Sequence, residues 1–305
     1  MPDNNKSVFF ANEGTQINPK VKDRLFNFVF GSFENKIYLL SLYNAINNSD
    51  YDDPDELEIT TLDDVVYINM KNDVSFLLDS CINLYEHQST FNPNMPLRGL
   101  MYFGHLYDSY LARVNKDYYS GSLVKIPTPR YYVFYNGLKE QPDRTILRLS
   151  DAFMIPDTSG DFEWSAVMLN INAGHNKELM NKCQALSEYS QYVADFREAL
   201  AKGMSKESAA EDAVNKAISR PCLGKFFLKW KGDVTSMLLT EFNQKEYDER
   251  RRDEGREEGL KEGYKEGKNE LARLITLLIK SGRESEVEHV CSDPEYMKKL
   301  EEELL

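Results

Sequence analysis

Apolar residues recur at helical spacing in two segments near the start of the chain. Val21, Leu25, Phe28 and Val29 do so over 21–30, and Tyr38, Leu39, Leu42, Tyr43 and Ile46 over 36–46. They predict two amphipathic helices joined at Gly31-Ser32. The acidic stretch over 50–64 reads as a solvated loop with a short edge strand at 57–62. From 65 to 88 the composition turns to Val, Ile, Tyr, Phe and Leu, interrupted at Lys71-Asn72-Asp73 and at Asp79-Ser80, which predicts strands separated by turns. Pro96 opens a helix reaching about Val114, and 131–135 is an aromatic strand closed by Asn136-Gly137. Further strands are expected at 145–149 and 163–171. The order predicts an α/β fold in which one sheet is covered by helices.

Beyond Gly174 strand signals stop, and helical patterns occupy 177–201, 205–218 and 226–242. The expected organisation is an α/β core over 1–175, a helical region over 176–240 and a charged helical tail over 241–305. Within the tail Gly255, Gly259, Gly263 and Gly267 recur at every fourth position. On a helix they form one slowly winding ridge without side chains, which a second helix could approach, so the tail is a route to a homodimer. The same ridge also reads as a charged, partly frayed solvent helix, because each glycine costs up to ~1 kcal/mol against alanine. Leu271, Leu274, Ile275, Leu278 and Ile279 add an apolar stripe suited to a partner helix.

With 41% hydrophobic residues in 305, the chain can bury a sizeable core, which excludes a disordered tail protein or a disulfide mini-protein. Its 37 Lys+Arg against 50 Asp+Glu give a net charge of −13, so any nucleic-acid contact must be a local site. Cys81, Cys183, Cys222 and Cys291 are widely spaced and read as core thiols of a reducing compartment. The start of the chain lacks an export signal, and no run approaches the ~18 apolar residues of a membrane helix, so a cytoplasmic protein without a membrane partner is expected.

Candidate chemistry lies in the 71–88 segment. If Asp79-Ser80 is a two-residue hairpin turn, Leu78 pairs with Cys81, Asp73 falls opposite Glu86, and Lys71 opposite Gln88. Directly opposed side chains have Cβ atoms ~4.5–5.5 Å apart, close enough for two carboxylates to share a Mg²⁺ or Mn²⁺ ion. Alternation puts Ser75, Leu77, Ile82, Leu84, Glu86 and Gln88 on the Asp73 face and His87 on the other. The same spacing suits an ordinary hairpin whose Asp73 and Glu86 are solvated or paired with Lys71 and Arg98. Arg98 and Tyr102, one turn apart on a helix, could hold a phosphate and stack a base, and Tyr102 is equally placed for core packing.

An Asp on one strand followed by Glu-x-Gln on its neighbour resembles the PD-(D/E)XK phosphodiesterase superfamily. Asn72-Asp73-Val74, Tyr85-Glu86-His87-Gln88-Ser89, Arg98-x-x-x-Tyr102, Phe134-Tyr135-Asn136-Gly137 and the upstream Asp23-Arg24-Leu25-Phe26-Asn27 more narrowly resemble the Rpn-type recombination-promoting nuclease and transposase family. The resemblance implies a restriction-endonuclease-like mixed sheet flanked by helices, with an all-helical C-terminal region. It also implies metal-dependent DNA endonuclease activity, with Asp73 and Glu86 as Mg²⁺ ligands and Mn²⁺ as a substitute. Gln88 stands where the superfamily usually has lysine, Asn72 where it has proline and Asn27 where the family's helix has lysine. Glutamine can orient a water but carries no charge; Lys71, its expected cross-strand neighbour, could supply that charge. Asp23 is a further acidic candidate, or a first-turn acid favoured by the helix dipole. The rival expectation is a catalytically impaired member of the fold that binds DNA or protein and self-associates through its tail. A helical scaffold unrelated to nucleic acid is the third.

Overall fold

Helices α1 (Arg24–Phe30) and α2 (Lys36–Asn47) form where the spacing of Leu25, Phe28, Leu39, Leu42 and Tyr43 requires, and Asn48 closes α2 in the left-handed conformation. The computed structural model describes residues 24–60, 74–157 and 159–304. Asp23, Lys71, Asn72, Asp73 and the strand expected over 65–70 lie outside the described residues. The described part of the acidic stretch, up to residue 60, contributes a two-residue strand, β1 (Glu58–Ile59). It pairs antiparallel with β2 (Val74–Leu78), and β2 in turn with β3 (Cys81–Gln88). Asp79 and Ser80 both take positive φ (45° and 59°), as a two-residue hairpin turn requires. Leu78 therefore faces Cys81 and Val74 faces Tyr85, the register expected from the turn.

Helix α3 (Met95–Arg113) carries the chain across the sheet to β4 (Thr128–Tyr135), which runs parallel to β3. The antiparallel edge strand β5 (Arg144–Arg148) and then β6 (Ser165–Asn170) complete a six-stranded mixed sheet in the order β1-β2-β3-β4-β6-β5. Helices α4 (Lys177–Lys182), α5 (Gln184–Ala201), α6 (Lys206–Ile218), α7 (Gly224–Lys229) and the 50-residue α8 (Lys231–Lys280) follow. The single helix expected over 177–201 is broken at Cys183, whose backbone is extended (φ −120°, ψ 90°). The break lets α4 and α5 both pack against α2, a tertiary gain that outweighs local propensity.

Alternation along the strands divides the core into two layers. Val74, Phe76, Tyr85 and Phe134 pack with α1, α2, α5, α6 and α7; Ile82, Leu84, Val133, Tyr135 and Met168 pack with Met95, Tyr102, Phe103 and Leu106 of α3. The helices beyond residue 175 share a core with α1 and α2, and the compact unit extends to Gln244. Residues Lys245–Leu305 form a second unit, in which Leu271, Leu274 and Leu278 pack with Val287 and Val290 of α9 (Val287–Ser292) and with Tyr296, Met297 and Leu300 of α10 (Pro294–Leu304). Much of the predicted apolar stripe thus finds its helical partner within its own chain, while Ile279 stays exposed. Of the four expected core thiols, Cys183 is buried, Cys81 and Cys222 are half-buried and Cys291 is exposed. Among the described residues no helix is long and apolar enough to cross a membrane.

Candidate functional site

Strand β3 delivers Glu86 to the α3 face of the sheet, on the same side as Ile82 and Leu84, with Val133 of β4 beside it. Its side chain is 1% exposed, a burial that an ionised carboxylate tolerates only when paired. The partner comes from α3. Arg98 Nη2 donates to Glu86 Oε2 at 2.9 Å and to the Tyr102 hydroxyl at 3.2 Å, while Nη1 reaches Met95 Sδ at 3.5 Å.

Gly99 makes this approach achievable. A Cβ there would collide with the Tyr131 ring on β4, so only glycine lets the first turns of α3 lie close enough to the sheet for Arg98 to meet Glu86. Burial works against the charge on Arg98, but the Glu86 carboxylate and the Tyr102 hydroxyl more than offset it, and the guanidinium pKa is raised. The Tyr102 ring is in the core, the second of its two expected placements, and its hydroxyl accepts from Arg98.

Gln88 ends β3 level with Tyr135 of β4, and Tyr135 stands level with Asn170, the last residue of β6. The carboxyl ends of three parallel strands therefore share one edge of the sheet, where ligands bind in open α/β sheets. His87 projects to the opposite face, where it stacks on Phe26 (centroids 5.2 Å apart) and lies 3.2 Å from the Tyr189 hydroxyl of α5. Its surroundings are those of a core histidine. The aromatic run over 131–135 is central sheet, flanked by β3 and β6.

The structure brings together Glu86, Arg98 and Tyr102, with Gln88 two residues further along β3. Asp73, Lys71 and Asp23 are outside the described residues. Among the described residues no group of three His, Cys, Asp or Glu side chains gathers as a metal site, and Glu86 alone of the expected ligands is in view.

Two polar arrangements had no sequence signal. Glu188, 3% exposed, accepts from the backbone N–H groups of Cys222 (3.0 Å) and Leu223 (2.6 Å), holding the start of α7. Arg197 of α5 donates to Asn136 Oδ1 (3.0 Å), the Asn136 carbonyl (2.6 Å) and Asn172 Oδ1 (2.8 Å), tying the ends of β4 and β6 together. Both span tens of residues and leave no periodicity behind. Asn136 is legible from sequence only as a turn residue. The chain matches no family model, no curated protein and no solved structure.

Proposed function

We propose that the chain is a metal-dependent DNA endonuclease with a restriction-endonuclease-like sheet, related to the recombination-promoting nucleases and transposases its motifs resemble. The observation that carries this reading is Glu86. It is an acid held almost wholly out of water on a central strand, two residues before the carboxyl end of that strand, in the hairpin register that the two-carboxylate site requires. Its hard oxygen suits Mg²⁺ or Mn²⁺. Asp73, one residue before β2 in the sequence, is the proposed second ligand. A bound ion would lower the pKa of a water and stabilise charge developing on the phosphoryl group.

The chain's own residues supply the rest. Arg98 is 35% exposed and always cationic, so it can pass from Glu86 to a substrate phosphate when a metal takes its place. Gln88 orients water by hydrogen bonding, and Lys71 carries the charge that Gln88 lacks. Such a substrate fits a cytoplasmic location, and a dimer through the tail would present two sites to two strands.

One observation favours the rival reading, a binding module without catalysis. The Arg98–Glu86 pair satisfies the buried carboxylate within the fold, with no metal needed. Supercoiled plasmid incubated with the protein and Mg²⁺ or Mn²⁺, beside Asp73→Ala and Glu86→Ala, separates the two. Nicking that disappears in both variants supports the nuclease; folded wild type that leaves the plasmid intact in either metal favours the binding module.

A further inference from the structure

Alternation along β4, β6 and β5 gives the sheet one closed and one open surface at the start of its parallel strands. Tyr131, Val133, Ala166, Met168 and Leu147 are buried toward α3, whereas Arg130, Ser165, Arg144, Ile146 and Arg148 on the opposite face are exposed. The helices on that side bury Phe134 and Leu169, near the carboxyl ends, and leave Tyr132 and Val167 half-buried.

Register builds this open surface row by row. Ser165 of β6 pairs with Arg148 of β5, Val167 with Ile146 and Leu169 with Arg144, while Tyr132 of β4 stands beside Val167. Arg130, two residues before Tyr132, is therefore level with Ser165. Three arginines thus frame a strip of Tyr132, Val167 and Ile146. With ~4.8 Å between strands and ~3.3 Å per residue, the backbone of Arg148 is ~10 Å from that of Arg130 and ~13 Å from that of Arg144. The cations are spread out rather than converged on one small anion.

Their charge is not neutralised within the fold. Among the described residues no carboxylate pairs with Arg130 or Arg144. Both act on the Tyr132 hydroxyl: burial pushes its pKa up, and the two guanidinium groups pull against that rise. Arg148 meets one acid, Glu163, at 3.8 Å, and its side chain is still 53% exposed. Glu163 is itself held by the Ser150 hydroxyl (2.7 Å) and by the N–H groups of Leu149, Ser150 and Trp164. Asp143, next to Arg144 in the chain, is engaged by His175 (2.6 Å) and the Asn176 N–H (3.2 Å). In a chain of net charge −13, three arginines on one surface with a single acid beside them make the local positive site that binding a polyanion requires. A planar guanidinium takes phosphate bidentately, and spaced cations around an aromatic and apolar strip on a sheet suit a nucleic-acid strand.

We propose that the open face of β4, β6 and β5 holds a DNA backbone, with Arg130, Arg144 and Arg148 contacting separate phosphates. The assignment rests on the nuclease reading only in naming DNA as the polyanion, and it uses neither Glu86 nor Arg98.

Fluorescence anisotropy of a fluorescein-labelled oligonucleotide, single-stranded and as a duplex, titrated with the full chain in EDTA, tests the face apart from any cleavage. The wild type is expected to bind at least one form, with affinity falling steeply as salt rises. Replacing Arg130, Arg144 and Arg148 together by glutamine should weaken binding about tenfold or more at low salt. It should also flatten the logarithmic salt dependence by about two, since each phosphate contact contributes ~0.7–0.9 to the slope. All three side chains are exposed, so the triple variant should keep its circular dichroism and unfolding midpoint. Arg144→Gln alone, the mildest variant, should show about a third of the slope change. As a control of equal charge, Lys202→Gln, Lys216→Gln and Lys225→Gln together, at α5, α6 and α7, should leave affinity within about twofold of the wild type. Absence of binding to either form by the wild type, or equal weakening by the arginine and lysine triples, would overturn the proposal. Displacement of the label by poly-L-glutamate at a lower charge concentration than by unlabelled DNA would also overturn it, assigning the face to an acidic protein segment. Glu86→Gln should bind DNA like the wild type, so failure of this face and failure of the nuclease are read separately.

Discussion

The two faces of one sheet edge treat buried charge in opposite ways. On the α3 face a nearly inaccessible acid, Glu86, meets a cation 2.9 Å away that is still 35% exposed. On the α5 face a cation, Arg197, is surrounded by the neutral oxygens of Asn136 and Asn172, and burial pulls its pKa down. The first arrangement is locally complete, and its cation is partly open to solvent. The second leaves its positive charge among neutral partners. What a charged side chain can do thus depends on whether the fold has already neutralised it.

The comparison is broken most severely at Arg98. Replacing it with alanine removes the guanidinium from a buried carboxylate and should cost about 2–3 kcal/mol in urea unfolding, below the ~3–5 kcal/mol of a fully buried pair because Arg98 is partly solvated. Adding Glu86→Gln to Arg98→Ala should recover more than half of that loss. No recovery would mean that the ion pair does not account for the burial of Glu86. Arg197→Met should cost less, about 1–2 kcal/mol, because it gives up hydrogen bonds to neutral groups while also relieving a desolvated cation. If it proved costlier than Arg98→Ala, the proposed asymmetry between the faces would be wrong.

Ser190→Ala, which removes a buried α5 hydroxyl without a hydrogen-bond partner, is the sharper, smaller test of the α5 face, with a stability change within about 0.5 kcal/mol, neutral or favourable. A larger loss would show that the hydroxyl has a structural partner. The smallest effect concerns pH. The His175 hydrogen bond holds the Asp143 carboxyl below the usual range, aided by the Asn176 N–H. A depressed carboxylate contributes stability that is complete above about pH 4 and is lost as pH falls through the lowered pKa. The protection of the Asn176 amide, its exchange rate relative to the intrinsic rate at each pH, should therefore fall at the acid end, and in Asp143→Asn should be low throughout.

Where local rules act, the fold was legible. The hairpin register followed from two turn residues, and the helix opened by Pro96 and the aromatic strand ending at Tyr135 formed within a few residues of their expected bounds. The helix over 177–201 was predicted whole because nothing in its periodicity marks Cys183, whose conformation is set by packing on α2. The separation of the tail near 240 fails to register in the backbone because α8 continues from Lys231 to Lys280. At the site, Glu86 and Arg98 were both recognised, and their pairing was one of two alternatives the spacing allowed. Arg197 was not, since its partners Asn136 and Asn172 lie 61 and 25 residues away and only the completed sheet brings them to it.

The proposed nuclease requires that the Glu86 carboxylate hold a divalent cation and that Arg98 stand in for it when the cation is absent. Titration of Mn²⁺ into the full chain, with free ion counted by electron paramagnetic resonance, tests this in wild type and Glu86→Gln. One site that the variant lacks, tightened in Arg98→Gln, is the expected result. Equal Mn²⁺ binding by wild type and Glu86→Gln would contradict it, and Glu86 would then be the structural partner of Arg98 alone.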